Sequence, residues 1–293
     1  MRILLATDGS ADATEAAAFL AELPLPKTSR VRILSVGERR AARADLPAAQ
    51  AYYDALTAER RRLVEETRAS LSIPAAIDTR VLEGLPRDEI VLEAREWGAD
   101  LVVVGARGLG AFDALLLGSV SLGVARDVEC PVLVVKGSSR GLKRIVVGID
   151  GSDESIHAAR FAADLPVDGR HHVELVGVVE PVHFPSTAPS FVRAHIQAAI
   201  HDIKEERRVA LTKAMDQIVP LFEAHGVSVT RKLPEGHPAE ILTAAASEPG
   251  TGLVVMGARG VGGVKRLLLG SVSENVLRAA PCAVLIVKRP RET

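Results

Sequence analysis

The stretch GARGLGAFDALLLGSVS at residues 105–121 recurs as GARGVGGVKRLLLGSVS at residues 257–273, with twelve of its seventeen positions identical. An apolar run precedes each copy (Leu101 to Val104; Leu253 to Met256), and a glycine-serine pair (Gly118-Ser119; Gly270-Ser271) opens a second apolar segment. That pattern reads as a buried strand, a glycine loop and a helix start. Glycine lets the backbone take positive φ and lets N–H groups come close to an anion. A helix N-terminus adds unpaired donors and a favourable dipole. The stretch therefore has the makings of a phosphate cradle.

Both copies share the spacing G-x2-G-x9-G-S. The Walker loop needs a Gly-Lys-Ser/Thr end, which neither copy has, and the dinucleotide fingerprint G-x-G-x-x-G is absent from the motif. Glycines also mark any tight strand-to-helix turn, so one copy alone would not separate turn from cradle. Two copies in register favour the cradle. On these motifs the chain resembles a tandem universal stress protein, of the branch whose G-x2-G-x9-G-S/T motif binds ATP, and the likeness covers essentially its whole length.

At 293 residues the chain is long enough for two domains. Hydrophobic residues make up 47%, charged residues 25% and aromatics only 3%, so the cores must be built from Ala, Val, Leu and Ile. Lys+Arg 36 against Asp+Glu 37 leave a formal charge of −1, which excludes a whole-chain field that would draw nucleic acid or an anionic membrane. No apolar stretch approaches the roughly 20 residues that span a bilayer, and the N-terminus lacks the pattern of a signal peptide, so a cytoplasmic location is expected. Cys130 and Cys282 occupy equivalent places in the two copies and are expected as buried core residues without a mutual disulfide.

Taken in order, each copy opens with an apolar strand ending in an acid (Arg2 to Asp8; Arg144 to Asp150), followed by Gly-Ser and a helix. Ser10 is the expected N-cap of the first, and Pro24 and Pro166 are the expected stops. Second strands follow at 31–36 and 173–179. Helices end the next segments, at 41–70 and about 191–224, where Pro220 should kink or shorten the second. A Pro/Ser loop at 181–190 accounts for the ten extra residues of the second copy. Third strands at 76–82 and 227–233 lead through Glu83-Gly84 and Glu235-Gly236 into helices from 87 and 239, and fifth strands lie at 132–136 and 283–288. Alternating β and α elements imply an α/β fold with a parallel, doubly wound sheet.

The resemblance adds two five-stranded domains, 1–137 and 144–293, joined by a linker at 138–143, each with strand order 3-2-1-4-5. Ligands of such sheets bind where the order reverses, at the strands' carboxyl ends. Single-copy relatives dimerise, which implies a pseudo-twofold pair joined through the apolar fifth strands and leaves a homodimer of the whole chain open. Carried over position by position, the first pocket comprises Ala6, Thr7, Asp8, Val36, Gly105, Arg107, Gly108, Gly118, Ser119, Val120 and Ser121. The second comprises Gly148, Ile149, Asp150, Val178, Gly257, Arg259, Gly260, Gly270, Ser271, Val272 and Ser273.

In that pocket the implied ligand is ATP, with Mg2+ on its phosphates. An acid would repel phosphates, so Asp8 and Asp150 belong at the ribose or base; alternatively each is an ordinary helix-start acid. Arg107 and Arg259 could pair with phosphate or stand as exposed loop charges. The eight histidines form no H-x3-H metal pair and read as surface residues. No nucleophile with an evident base appears, so no catalytic residue is assigned. The functional expectation is an ATP-binding stress-response protein whose nucleotide sets a regulatory state. A slow ATPase or phosphoryl-transfer enzyme is the alternative, and a nucleotide-free scaffold is disfavoured by two complete motifs.

Overall fold

Short apolar runs whose side chains alternate between two cores set the architecture. In β1 (Arg2–Ala6), Ile3 and Leu5 enter one core and Leu4 the opposite one. In its counterpart β6 (Arg144–Ile149), Ile145 and Val147 face the first core and Val146 the second. This is the period of two expected of a strand covered on both faces. The computed structural model describes residues 1–23, 25–37, 47–109, 117–137, 141–165, 169–181, 190–261 and 269–289. Pro24, Pro166, linker residues 138–140, most of the Pro/Ser loop (182–189, with His183) and the interior of both glycine motifs (110–116 and 262–268) lie outside them.

Between β1 and β6 run α1 (Ala11–Glu22), β2 (Arg30–Gly37), α2 (Pro47–Ser70), β3 (Ala76–Glu83), α3 (Pro86–Trp97), β4 (Leu101–Gly105), α4 (Ser119–Asp127) and β5 (Val132–Val135). After β6 come α5 (Asp153–Asp164), β7 (His172–Gly177), α6 (Ser190–Glu223), β8 (Ser228–Lys232), α7 (Pro238–Ser247), β9 (Thr251–Gly257), α8 (Ser271–Ala279) and β10 (Ala283–Val287). The first core is packed by α1, α2, α5 and α6, and the second by α3, α4, α7 and α8. Ser10 and Ser152 cap α1 and α5, accepting from the N–H groups of Ala13 and Ser155 at 3.2 and 3.1 Å. Pro86 and Pro238 occupy the first turns of α3 and α7, where a missing N–H is harmless.

One sheet of ten strands runs in the order β3-β2-β1-β4-β5-β10-β9-β6-β7-β8. Every neighbouring pair is parallel except β5 and β10, which pair antiparallel with Leu133 opposite Leu285. Neither fifth strand is left as an apolar edge. The outer edges are β3 and β8, which carry Asp78, Arg80, Arg231 and Lys232.

Some sequence expectations need correction. Pro220 lies inside α6 without shortening it: the helix continues to Glu223 and stops before Gly226, at φ 73°. The missing Pro220 N–H forfeits one backbone bond, and burial of Met215, Ile218 and Phe222 holds the turns around it. Cys282 is buried, but Cys130 precedes β5 by two residues and is only partly covered. His171 is buried, and the His172 ring lies 2.9 Å from Ser228 Oγ and 3.0 Å from Thr230 Oγ1, so neither is a simple surface residue.

The halves are also tied reciprocally by two lysines that follow the paired strands. Lys136 Nζ donates to the carbonyls of Arg278 and Ala280 at 3.1 and 2.9 Å, at the C-terminus of α8. Lys288 Nζ donates to the carbonyls of Arg126, at 2.8 Å, and Val128, at the C-terminus of α4. Each cation thus sits on the negative end of the other half's helix. Arg126 and Glu274 add a 2.7 Å ion pair between the same helices.

Burial lowers both lysines from the ordinary 10.5 to about 8. Between pH 8 and 10.5 the unfolded lysines hold protons that the folded ones have lost, so folding stability rises with pH through that window. The Cys130 thiol, which burial pushes up from 9.0 to about 12, acts in the opposite direction above pH 9. Denaturant unfolding should therefore show stability climbing between about pH 8 and 9, and the Lys136→Met, Lys288→Met double variant should abolish that climb.

Candidate functional site

Two crevice loops meet in each half through one carboxylate. Asp150, at the end of β6, accepts from Ser152 N and Oγ through Oδ1, at 2.9 and 2.6 Å, and from Val261 N through Oδ2, at 3.0 Å. Asp8 does the same in the first half: Oδ1 accepts from Ser10 N and Oδ2 from Leu109 N, both at 3.0 Å. The strand-one loop is thereby clamped to the glycine loop after β4 or β9. A carboxylate has about four lone-pair positions, so each aspartate retains capacity for a ligand hydroxyl.

The clamp explains one glycine of the motif directly. A Cβ on Gly260 would stand 2.4 Å from Asp150 Oδ2, and one on Gly108 would stand 2.6 Å from Asp8 Oδ2. Further along, Gly118 N and Gly270 N donate to the carbonyls of Ala106 and Ala258 at 2.8 and 2.7 Å. Ser121 Oγ and Ser273 Oγ donate to the carbonyls of Gly105 and Gly257 at 2.6 and 2.8 Å. These bonds fold the motif back on its strand. They also aim the first turns of α4 and α8 at the crevice, with Gly118 and Gly270 as N-caps and no side-chain cap bond at either. The leading N–H groups are left to a ligand or to water.

In the second half this geometry encloses a cavity of about 510 Å³. All eleven residues expected there line it: Gly148, Ile149, Asp150, Val178, Gly257, Arg259, Gly260, Gly270, Ser271, Val272 and Ser273. Ser271 is exposed towards it, whereas Ser273 is buried in its latch. In the first half the sheet brings Ala6, Thr7 and Asp8 beside Gly105, Arg107, Gly108 and Gly118–Ser121, while Val36 lies on β2, opposite Leu82 of β3. Leu63 of α2 stands 3.2 Å from where a Cβ on Gly9 would lie, whereas nothing comes within 4 Å of the same point on Gly151.

The motif arginines have carboxylate partners. Arg107 grips Asp12 of α1 with two bonds, at 2.8 and 3.0 Å, and Arg259 meets Glu154 of α5 with one, at 3.2 Å. Arg259 also lines the cavity. Sequence reasoning missed Ser155, Val176, Glu180, Arg207, Pro238, Leu242, Met256 and Val261, which complete the cavity wall. Leu242, on α7, and Met256, on β9, carried the signal of apolar residues at helix and strand spacing, but nothing in the sequence said that they face a ligand. Among the described residues no three His, Cys, Asp or Glu groups gather into a metal cluster, and no helix is long and apolar enough to cross a membrane.

The Universal stress protein family matches the chain twice, at residues 1–136 and 141–288. A universal stress protein of Methanocaldococcus jannaschii is 30% identical over 159 residues, which cover 54% of this chain and 89% of that one. One from Mycobacterium tuberculosis is 33% identical over 201 residues, covering 65% of this chain and only 62% of the relative's length. Among solved structures, a universal stress protein from Archaeoglobus fulgidus superposes with a TM-score of 0.65 at 22% identity, over 100% of this chain and 97% of that one, a likeness of fold.

The clamp makes Asp150 and Gly260 energetically coupled. Gly260→Ala should destabilise the protein by about 1–3 kcal/mol, because the added methyl must push the carboxylate off Val261 N. In an Asp150→Ala background the same change should have an effect of under about 1 kcal/mol. A double-mutant cycle by chemical denaturation reads the difference.

Proposed function

The chain belongs to the universal stress protein family, and from that membership we propose that it binds ATP, with Mg2+ carried on the phosphates, as a regulatory ligand rather than as a substrate to be turned over. The observation that carries this reading is the second-half cavity, of a volume ordinary for small-molecule sites. Its three kinds of group fit the parts of a nucleotide: uncapped helix donors for phosphates, an aspartate with a remaining lone pair for a ribose hydroxyl, and an apolar floor for a base. Arg259 adds positive charge beside the phosphate end. The same motif in the first half makes a second site the natural expectation. We further propose that 1–137 and 144–293 are the two domains, joined by residues 138–143 and related by a pseudo-twofold axis through the β5–β10 pair.

Rapid phosphoryl transfer needs an in-line nucleophile, a base that orients it and neutralised charge at the transferring phosphate. The motif supplies chiefly ground-state contacts: backbone N–H groups, the hydroxyls of Ser119 and Ser271, and one arginine per loop. Contacts made equally in ground and transition states do not raise the chemical rate. Bound nucleotide should instead stabilise the fold in proportion to its concentration, as suits a sensor.

Calorimetry with ATP, ADP and GTP should give ATP binding at up to two sites per chain; no heat with folded protein would remove the reading. Gly270→Glu should abolish the second site alone and Gly118→Glu the first, since like charges about 4 Å apart repel by about 4 kcal/mol at an effective dielectric of 20. Steady-state phosphate release should stay well below about 1 s⁻¹. Faster release that disappears in Asp150→Ala protein would favour the ATPase alternative.

A further inference from the structure

Resting on the nucleotide reading, we infer that Lys136 and Lys288 tie nucleotide binding to proton uptake: an anion in either crevice favours their charged form, so ATP affinity falls as pH rises above neutral. Each lysine stands between the two sites. Lys136 directly follows Val135, whose carbonyl accepts from Ala106 N at 2.8 Å, at the root of the first glycine loop. Its Nζ holds the Arg278 and Ala280 carbonyls, behind the helix whose uncapped N-terminus opens on the second cavity. Lys288 repeats the arrangement in reverse. It follows Val287, whose carbonyl accepts from Ala258 N at 2.9 Å at the root of the second loop, and its Nζ holds the Arg126 and Val128 carbonyls behind α4.

The nine residues of α8 span roughly 14 Å, and Val276 and Leu277 on its inner face are buried. Charges acting through such an interior are screened by salt much less than charges acting through solvent. The groups around Lys136 are Asp12, Arg107 and the Cys282 thiol; those around Lys288 are Asp127, Glu129, Arg259 and the Cys130 thiol. Asp12 is already gripped by Arg107 and Asp127 by Arg87, while Arg126, Glu274 and Arg278 engage one another beside the joint. Both lysines therefore lean chiefly on helix carbonyls. Burial holds them at about 8, so each carries only part of its charge near that pH. The Cys130 thiol, at about 12, stays protonated there. Phosphates bound at either helix start add negative charge and raise the lysines above about 8. The gain in affinity is then fully present below that value and is lost as pH rises through the raised one.

The test is titration calorimetry of the full chain with ATP and Mg2+ in two buffers of different ionisation enthalpy, whose difference counts protons. Binding should take up about 0.2–0.8 proton per nucleotide near pH 8 and close to none near pH 6.5, and affinity should fall about threefold or more from pH 7 to pH 9. The Lys136→Gln, Lys288→Gln double variant keeps a donor for the helix carbonyls but no charge. It should bind ATP more weakly than wild type near pH 7, take up no protons near pH 8, and approach the wild-type affinity as pH rises. Both proteins meet the same ligand, so the difference between them excludes ionisation of the nucleotide itself. Lysines with a structural role alone would give equal uptake in both proteins, or none, and an affinity ratio that does not move with pH; either result overturns the inference alone. If the double variant does not fold, the single variants are read instead, each removing part of the uptake, and absent wild-type uptake overturns the inference without them. Wild-type protein that binds no ATP at any of these pH values overturns the inference together with the proposed function.

Discussion

A single contact, the Asp150 carboxylate bridging Ser152 and Val261, organises everything around the second crevice. It holds the loop after β6 against the loop after β9, two elements more than a hundred residues apart in sequence. Because one carboxylate oxygen occupies the space beside residue 260, a side chain there would have to displace it from the clamp. Once the loops are clamped, the latch from Ser273 to the Gly257 carbonyl turns the chain into α8 with its first N–H groups facing the cavity. Asp8, Gly108, Ser121 and α4 repeat the device in the first half. The clamp and the proposed binding role are compatible because a carboxylate that accepts from backbone donors on both oxygens still has a lone pair to spare.

The same helices connect the sites to the contact between halves. Helix α8 presents its uncapped N-terminus to the second cavity, while its C-terminal carbonyls receive Lys136 from the first half. Helix α4 is served in the same way by Lys288. A cation at one end and an anion at the other both suit the helix dipole. Antiparallel pairing of β5 with β10 sets these lysines within reach, and burial of their charged ends is what lowers both to about 8. The joint between the halves and the candidate binding ends of α4 and α8 are therefore opposite ends of the same rigid elements.

Much of the fold was legible because it rests on local patterns: apolar runs of strand length, Ser10 and Ser152 before helices, and Pro86 and Pro238 at helix starts. The motif glycines were legible for a related reason, since they mark close backbone approaches. What escaped notice depends on partners distant in sequence. Asp12 and Glu154 claim the motif arginines from 95 and 105 residues away. Arg207 is one of several charged residues in a long polar helix, and only the packing of α6 beside β7 turns it to the cavity. Pro220 was expected to kink or shorten α6; that the helix runs on to Glu223 reflects the buried Met215, Ile218 and Phe222, which local propensity does not convey.

Hydrogen–deuterium exchange of the intact chain, with and without saturating ATP and Mg2+, tests the binding site most directly, since it locates the ligand on the backbone. The N–H groups of Leu109 and Val261 should already be protected in the free protein, because Asp8 and Asp150 accept from them. Nucleotide should then slow exchange at Ser271, Val272 and Ser273, the leading donors of α8, beyond any general slowing of the core. Unchanged exchange across 270–273 under saturating ATP, in protein that is otherwise folded, would contradict a phosphate site at that helix.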